Sequence, residues 1–588
     1  MFHARRVART TRDRSAPRGR GRAPAPWAAL LALAVLSPAC GGGSDGSPSG
    51  GGGAVGPSDA VIWYDTTSFG GTRRLKHSRN GGDPVTYATL APGIRYEVLG
   101  AHMDGTDSVI FYDTQQADGT RRVETSRNGG PPSRLEIVPA GVGFQPLATR
   151  MKGLHAAIHY ALLPADGTTR VKLSRNGEEA VEIVLVPSDR VFTYHAAHVS
   201  GGHAVLHYST RAGDGSARLA YVEDLGPPVQ IDAILATSTL RILGSHMEGG
   251  VAVLHFAVTA TDGSTRVLVS RDGGAPATLR TLPAGTELVP IGTHMKGTEA
   301  TIFFGASTGG TAPDLYFARN DAPATLFEAP PAASEITALG SHMSGPDAVL
   351  FYTLQNAGGA REVRYSRNGA APLLVDTLSL GSTFSFLGSH MEAGDGVLFY
   401  GVTRGGGAFD VECSRNGGAP LLVGTKPASS SFDLLATHMS GPNAALYAVT
   451  TRSGGAKDVE SSHNGAPFAL IETLSPGIGF ESLGTDSSGG GDVLFYATLP
   501  PSGTRSLSYA RDGALPTGIE SLSSGLAFRL HGSDLFAPNA ALFYATTSPF
   551  GGPTSLKVSL NGGPPDVIES EPSDSPLTVR AVLMPREP

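Results

Sequence analysis

Cysteine is nearly absent from this chain of 588 residues, which has two, Cys40 and Cys413. One bridge is the most they can make, so packing and not cross-linking must hold the fold. Membrane-spanning apolar runs are missing as well. The stretch Trp27 to Leu36 covers ten residues, half of the roughly 20 that a helix needs to cross a bilayer. No segment of the repeating body shows the 3.6-residue apolar period of a helix. There is no phosphate-cradling glycine loop, no His-Glu-x-x-His and no Asp-x-Asp-x-Asp-Gly calcium loop. Gly42-Gly43-Ser44-Asp45-Gly46 has the spacing of a hydrolase nucleophile elbow. It lacks the flanking strand and helix that such a turn needs, so it is discounted.

What the chain has in abundance is repetition. Ser-Arg-Asn-Gly begins at Ser78, Ser126, Ser174, Ser366 and Ser414, and degenerate copies begin at Val222, Ser270, Ala318, Ser462, Ala510 and Ser559. The interval is 48 residues, with one residue inserted before the last copy. A second marker, Ser/Thr/Ala-His-Met/Val, keeps the same interval at His102, His198, His246, His294, His342, His390 and His438. Eleven units therefore fill residues 58–588 as one repeating body. Gly and Pro make up about a fifth of the chain and recur at turns rather than at random.

Each unit contains four runs of strand length. In the seventh these include Asp347-Ala348-Val349-Leu350-Phe351-Tyr352 and Arg361-Glu362-Val363-Arg364-Tyr365-Ser366, followed across Asn368-Gly369 by Leu373-Leu374-Val375. Asn-Gly is the strongest short hairpin signal, so the unit is a four-stranded antiparallel meander. That is one blade of a β-propeller. The first unit starts at its second strand, Asp59 to Tyr64, while Leu577 to Met584 stands in the register of the missing first strand. The expectation is an all-β propeller of eleven blades, closed by pairing of the C-terminal strand with the N-terminal blade. Two rings of five and six blades, or an open β-solenoid, remain as alternatives.

Asp347 to Val375, an acidic start, an apolar strand, a Gly turn, Val-x-Tyr, an Asn-Gly turn and Pro-Leu-Leu, resembles the blade of TolB-type propellers. That resemblance is generic and implies fold alone. Residues 1–26 carry eight Arg and one Asp, and Ser37-Pro38-Ala39-Cys40 follows the apolar run. This resembles a bacterial lipoprotein export signal, which implies a leader of residues 1–39, a lipidated Cys40 and a Gly/Ser-rich tether over 40–57. A transmembrane anchor and a cleaved secretory leader without lipid are the alternatives. With Cys40 acylated, Cys413 is left unpaired. Loss of residues 1–39 leaves 37 basic against 51 acidic residues, a net charge of −14. Such a body repels nucleic acid.

Candidate site residues come from the repeats. Facing sheets pack about 10 Å apart, whereas zinc draws imidazole nitrogen to about 2.1 Å. The recurring histidines are therefore expected to serve as hydrogen-bonded braces within each blade, similar to the networks of WD-repeat propellers, and not as a shared metal ring. Asp486 and Asp534 take the same place in two late units. Units three to five add His155, His159, His195, His203, His207 and His255. His159, His207 and His255 stand where other units carry an aromatic ring. His198 and His203, flanking Val199 to Gly202, form a weak candidate metal pair. Arg79, Arg127, Arg175, Arg271, Arg319, Arg367, Arg415 and Arg511 form a necklace that could bind an anionic polymer, or else cover hairpin tips.

No catalytic set and no cofactor is expected. The reading is a monomeric, lipid-anchored, extracytoplasmic scaffold at the outer membrane that binds protein partners. Membrane contact is through the anchor alone. A multivalent lectin is the alternative, although Trp63 is the single Trp outside the leader. An enzyme built on degenerate units, such as Val222 to Gly226, is the third possibility.

Overall fold

Strand pairing closes the chain into a single ring of eleven four-stranded antiparallel blades. The computed structural model describes residues 60–536, 539–549 and 552–583; the expected leader, tether and Cys40 lie outside them. All described residues belong to one compact unit, and no helix occurs among them.

We letter the strands of each blade a to d, from the channel outward. In blade 7 they are Glu335–Ser344, Asp347–Gln355, Arg361–Arg367 and Leu373–Leu378. Blade 1 takes its strand a from the other end of the chain: Leu577–Leu583 pairs antiparallel with Val61–Thr67. Each strand a packs against strand a of the next blade, and Leu577–Leu583 touches those of blades 2 and 11, so the circle is complete. Among the described residues there is neither a seam between two rings nor an open solenoid end.

The strand types follow from burial. Strand b lies between two neighbouring blades as well as two neighbouring strands, so it reads as an unbroken apolar run. Val349, Leu350, Phe351 and Tyr352 are all fully buried. Strand d is the outer edge, with Leu373, Leu374 and Thr377 exposed and Val375 and Leu378 buried. Strand a carries one bulge at a constant place, for example between Ala338 and Gly340. The extra residue, Leu339, packs into the inter-blade core, and the bulge resets the pleat just before His342.

The outer parts of neighbouring blades are tied by a tyrosine. Tyr352 donates to Glu328 of the preceding blade at 2.7 Å, and Tyr544 to Glu520 in the same way. A basic residue on strand c, such as Arg364, reaches that acid too. Cys413 is buried, and burial pushes its thiol up to about 12, so it stays a protonated core residue.

Candidate functional site

The recurring histidines join blades to one another. His342 Nε2 lies 2.8 Å from Ser389 Oγ of the next blade. The same bond links His102 to Thr149, His198 to Ser245, His246 to Thr293, His294 to Ser341, His390 to Thr437 and His438 to Thr485, at 2.8 to 2.9 Å. The brace expected within each blade is thus replaced by one to the neighbouring blade. Gly340 leaves room for it, because a Cβ there would collide with Ser389 Oγ. Where the neighbour lacks a hydroxyl, as at Ala197, the histidine is replaced by Arg150, whose Nε donates to the Ala197 carbonyl at 3.3 Å. Asp486 instead accepts from the Leu535 backbone N–H at 3.0 Å.

Blade spacing near the channel is tighter than the sheet separation assumed from sequence. The His342 and His390 rings stack with centroids 6.5 Å apart, because blades converge toward the axis. Each Nε2 nevertheless has its own hydroxyl. Burial lowers His294 to about 3 and His342 to about 4, so these rings are neutral at physiological pH.

Ser-Arg-Asn-Gly is a second lock of the same kind. Ser366 Oγ donates to the Ala370 carbonyl across the turn. Asn368 adopts φ +54, and its Oδ1 accepts from the Ala348 N–H at 2.8 Å. Gly369, at φ +66, lies against Phe317 of the preceding blade, where a Cβ would come within 2.6 Å. The arginine reaches forward: Arg415 donates to the Pro442 carbonyl and to Asn464 Oδ1, both at 2.8 Å in the next blade. Arg79, Arg127, Arg175, Arg271, Arg319 and Arg367 make the same carbonyl contact. Arg511 lies 3.8 Å from Asp512. Seven of the eight guanidinium groups are thus held against the hairpin of the next blade. Arg415→Ala is expected to cost about 1–2 kcal/mol in urea unfolding and to leave retention on heparin unchanged. Weaker retention at unaltered stability would restore the polymer-binding reading.

The histidine cluster of blades 3 to 5 divides into two groups. His207 Nδ1 lies 3.1 Å from Ser245 Oγ, which also meets His198, and His195 lies 2.9 Å from Ser209 Oγ. His159 and His255 are buried with no partner for either ring nitrogen. His198 stands opposite Val205 and His203 opposite Ser200, diagonal neighbours on one face, and His198 Nε2 is taken up by Ser245 of the next blade. His203 instead meets two carboxylates that the sequence reading did not connect with it: its Nδ1 is 2.9 Å from Glu223 Oε1 and 2.9 Å from Asp224 Oδ2. The signal for them was the degenerate fourth motif.

Open clefts lie between blades on the opposite face, and the sequence pattern gave no sign of them. The larger, about 640 Å³, spans blades 1 and 2 and is lined by Arg73, Arg95, Arg121, Tyr96, Glu97 and Asp113. Arg121 pairs with Asp113, whose carboxyl burial raises above its ordinary value. Arg73 and Arg580 converge on the buried Asp65, and Arg580 stacks 5.3 Å from the Tyr96 ring. Arg580 is the bulged residue of the closing strand. Arg95 and Glu97 are exposed. A second cleft of about 400 Å³, at the equivalent place between blades 5 and 6, offers Arg241, Thr259, Thr265, Thr286 and Glu287.

No family model matches the chain, and no curated protein matches it. Among solved structures it is similar to a fungal lectin from Aleuria aurantia described as a six-bladed β-propeller, at 11% identity, TM-score 0.21, covering 49% of this chain and 96% of that one. A lectin from Burkholderia pseudomallei gives 12%, 0.24, 53% and 93%. A puromycin-hydrolyzing peptidase from Mycobacterium tuberculosis gives 13%, 0.25, 60% and 57%. Likenesses at these values carry no argument about ligand or activity.

Proposed function

We propose that this chain is a non-catalytic binding propeller whose inter-blade clefts take hydroxyl-rich ligands, that is, glycan. The observation that carries the reading is the cleft between blades 1 and 2. Its volume suits a small ligand and not a protein footprint. Arginine and carboxylate side by side can donate to and accept from vicinal hydroxyls. A second cleft at the equivalent junction provides for multivalent capture, in which weak sites add up on a polymer. Tethering through Cys40 outside the cytoplasm, with the propeller as a monomer, belongs to the same reading.

A protein-binding scaffold is the second reading. Leu373, Leu374, Leu421, Leu422 and Leu470 are more than half exposed on the outer strands of blades 7 to 9, an apolar band suited to protein contact.

The test is binding of residues 58–588 to an array of bacterial and host glycans, with Arg95→Ala/Glu97→Ala beside the parent. Both side chains are exposed, so folding should be unaffected and array binding should drop at least tenfold. Binding only to protease-sensitive material would favour the scaffold instead. In whole cells, Cys40→Ala should move the glycan-binding activity from the membrane to the soluble fraction; activity that stays membrane-bound would remove the lipid anchor from the reading.

A further inference from the structure

We infer that blade 4 holds a site for a first-row divalent transition-metal ion, formed by His203, Glu223 and Asp224. This site is separate from the clefts and does not depend on glycan binding.

Three positions of the repeat change together here. Where blade 7 has Asp347, Arg367 and Asn368, blade 4 has His203, Glu223 and Asp224. Strand pairing and the left-handed turn hold them in one place. His203 opens strand b, Glu223 ends strand c, and Asp224, at φ +51, is pinned when its Oδ1 accepts the Ala204 N–H at 2.8 Å. His203 Nδ1, Glu223 Oε1 and Asp224 Oδ2 all fall within 4.8 Å of one another. Both nitrogen-to-oxygen separations are 2.9 Å, a hydrogen-bond distance; ligands on a tetrahedral ion with bonds of about 2.1 Å stand about 3.4 Å apart, so the three groups need to spread by only about half an ångström to admit one.

One imidazole and two carboxylates are a mixed nitrogen and oxygen set, which favours zinc or its first-row neighbours over magnesium or calcium. Half-exposure of the imidazole leaves coordination positions open to water or to a ligand. Tyr221 donates to Glu223 Oε2 at 2.9 Å, orienting that carboxylate from behind. Arg175 pairs with Asp224 Oδ1 at 2.6 Å, so one cation already shares the site. Placing Glu at position 223 also removes the arginine that ties most blades to the next one. The competing explanation is a reversed ion pair, in which His203 and Glu223 exchange the charges that Asp347 and Arg367 carry in blade 7.

Calorimetric titration of metal-stripped residues 58–588 with ZnCl₂ decides between them. The expected result is one tight site per chain, unaffected by excess MgCl₂. The variant His203→Asp/Glu223→Arg/Asp224→Asn installs residues that other blades already carry, so it should fold as the parent does and bind at least tenfold more weakly. Cobalt substitution should give the parent a visible absorption band that the variant lacks. No binding by the parent, or equal binding by the variant, overturns the proposal in favour of the reversed ion pair. Should the triple variant misfold, His203→Ala alone serves, with the same loss expected.

Discussion

Deletion of residues 573–588 is expected to convert a monodisperse protein into an aggregating one with no cooperative thermal transition. The deleted segment supplies strand a of blade 1. Without it, Val61–Thr67 loses a partner along nearly its whole length, and a buried strand becomes an unpaired apolar edge, the usual template for association. Leu577, Val579 and Val582 leave the core formed with Ile62, Tyr64 and Phe543. Ala581 and Leu583 leave the one formed with Val61 and Trp63. Asp65, 1% exposed, loses Arg580 and keeps only Arg73 at 3.3 Å. Losing one of two guanidinium partners costs this buried carboxylate less than the roughly 3–5 kcal/mol of a fully broken buried pair, but it adds to the lost apolar packing against a typical total stability of about 5–15 kcal/mol. Size-exclusion chromatography and a thermal melt report the outcome. A circular permutant that joins 583 to 61 through a short linker, with new ends in the exposed turn at Gly405, keeps every pairing. It should elute and melt like the parent. A well-folded deletion variant would mean that the ring does not depend on closure.

Closure was legible in sequence because register is a local property. The orphan strand Leu577 to Leu583 fits the one vacant place in a period of 48, and Asn-Gly turns fix the hairpins between. What the repeat could not show was which copy a side chain contacts. His342 bonds Ser389, a partner 47 residues away, and Arg415 bonds Asn464, 49 away. One period later the sequence looks the same as the residue's own unit, so a partner in the next blade cannot be told from one in the same blade. The histidines were thus assigned to bracing within the blade rather than across to the next one, and the arginines were read without the carbonyl of the next blade that they reach. The clefts depend on how blades splay at the turn face, a property of packing that no motif encodes. Glu223 and Asp224 were detectable as a broken motif, but their convergence on His203 needed the strand register.

Acidification from pH 6.5 to 4 is expected to destabilise the ring by several kcal/mol, through histidines that cannot accept a proton where they stand. His159, His207 and His255 are at most 1% exposed. Burial lowers His159 to about 4 and His207 and His255 to about 3. In the unfolded chain each titrates near 6.5. Above that value they are neutral in both states and the full stability is present. As the pH falls below it, the unfolded state takes up protons that the folded state refuses, so stability is lost until the folded values are reached. Each group accounts for about 3–5 kcal/mol over its window. Asp492 works in the opposite direction: burial raises it to about 6, so its contribution improves on acidification and offsets part of the loss. The control replaces all three histidines with Phe, the residue that Phe303 and Phe351 present at the equivalent place in blades 6 and 7. His159 and His255 have no hydrogen bonds to lose, and His207 gives up one to Ser245. The triple variant should match the parent within about 1–2 kcal/mol at pH 8 and exceed it clearly at pH 5. Urea midpoints measured across pH 4 to 8 follow both chains, and parallel curves would show that these three histidines do not set the acid limit.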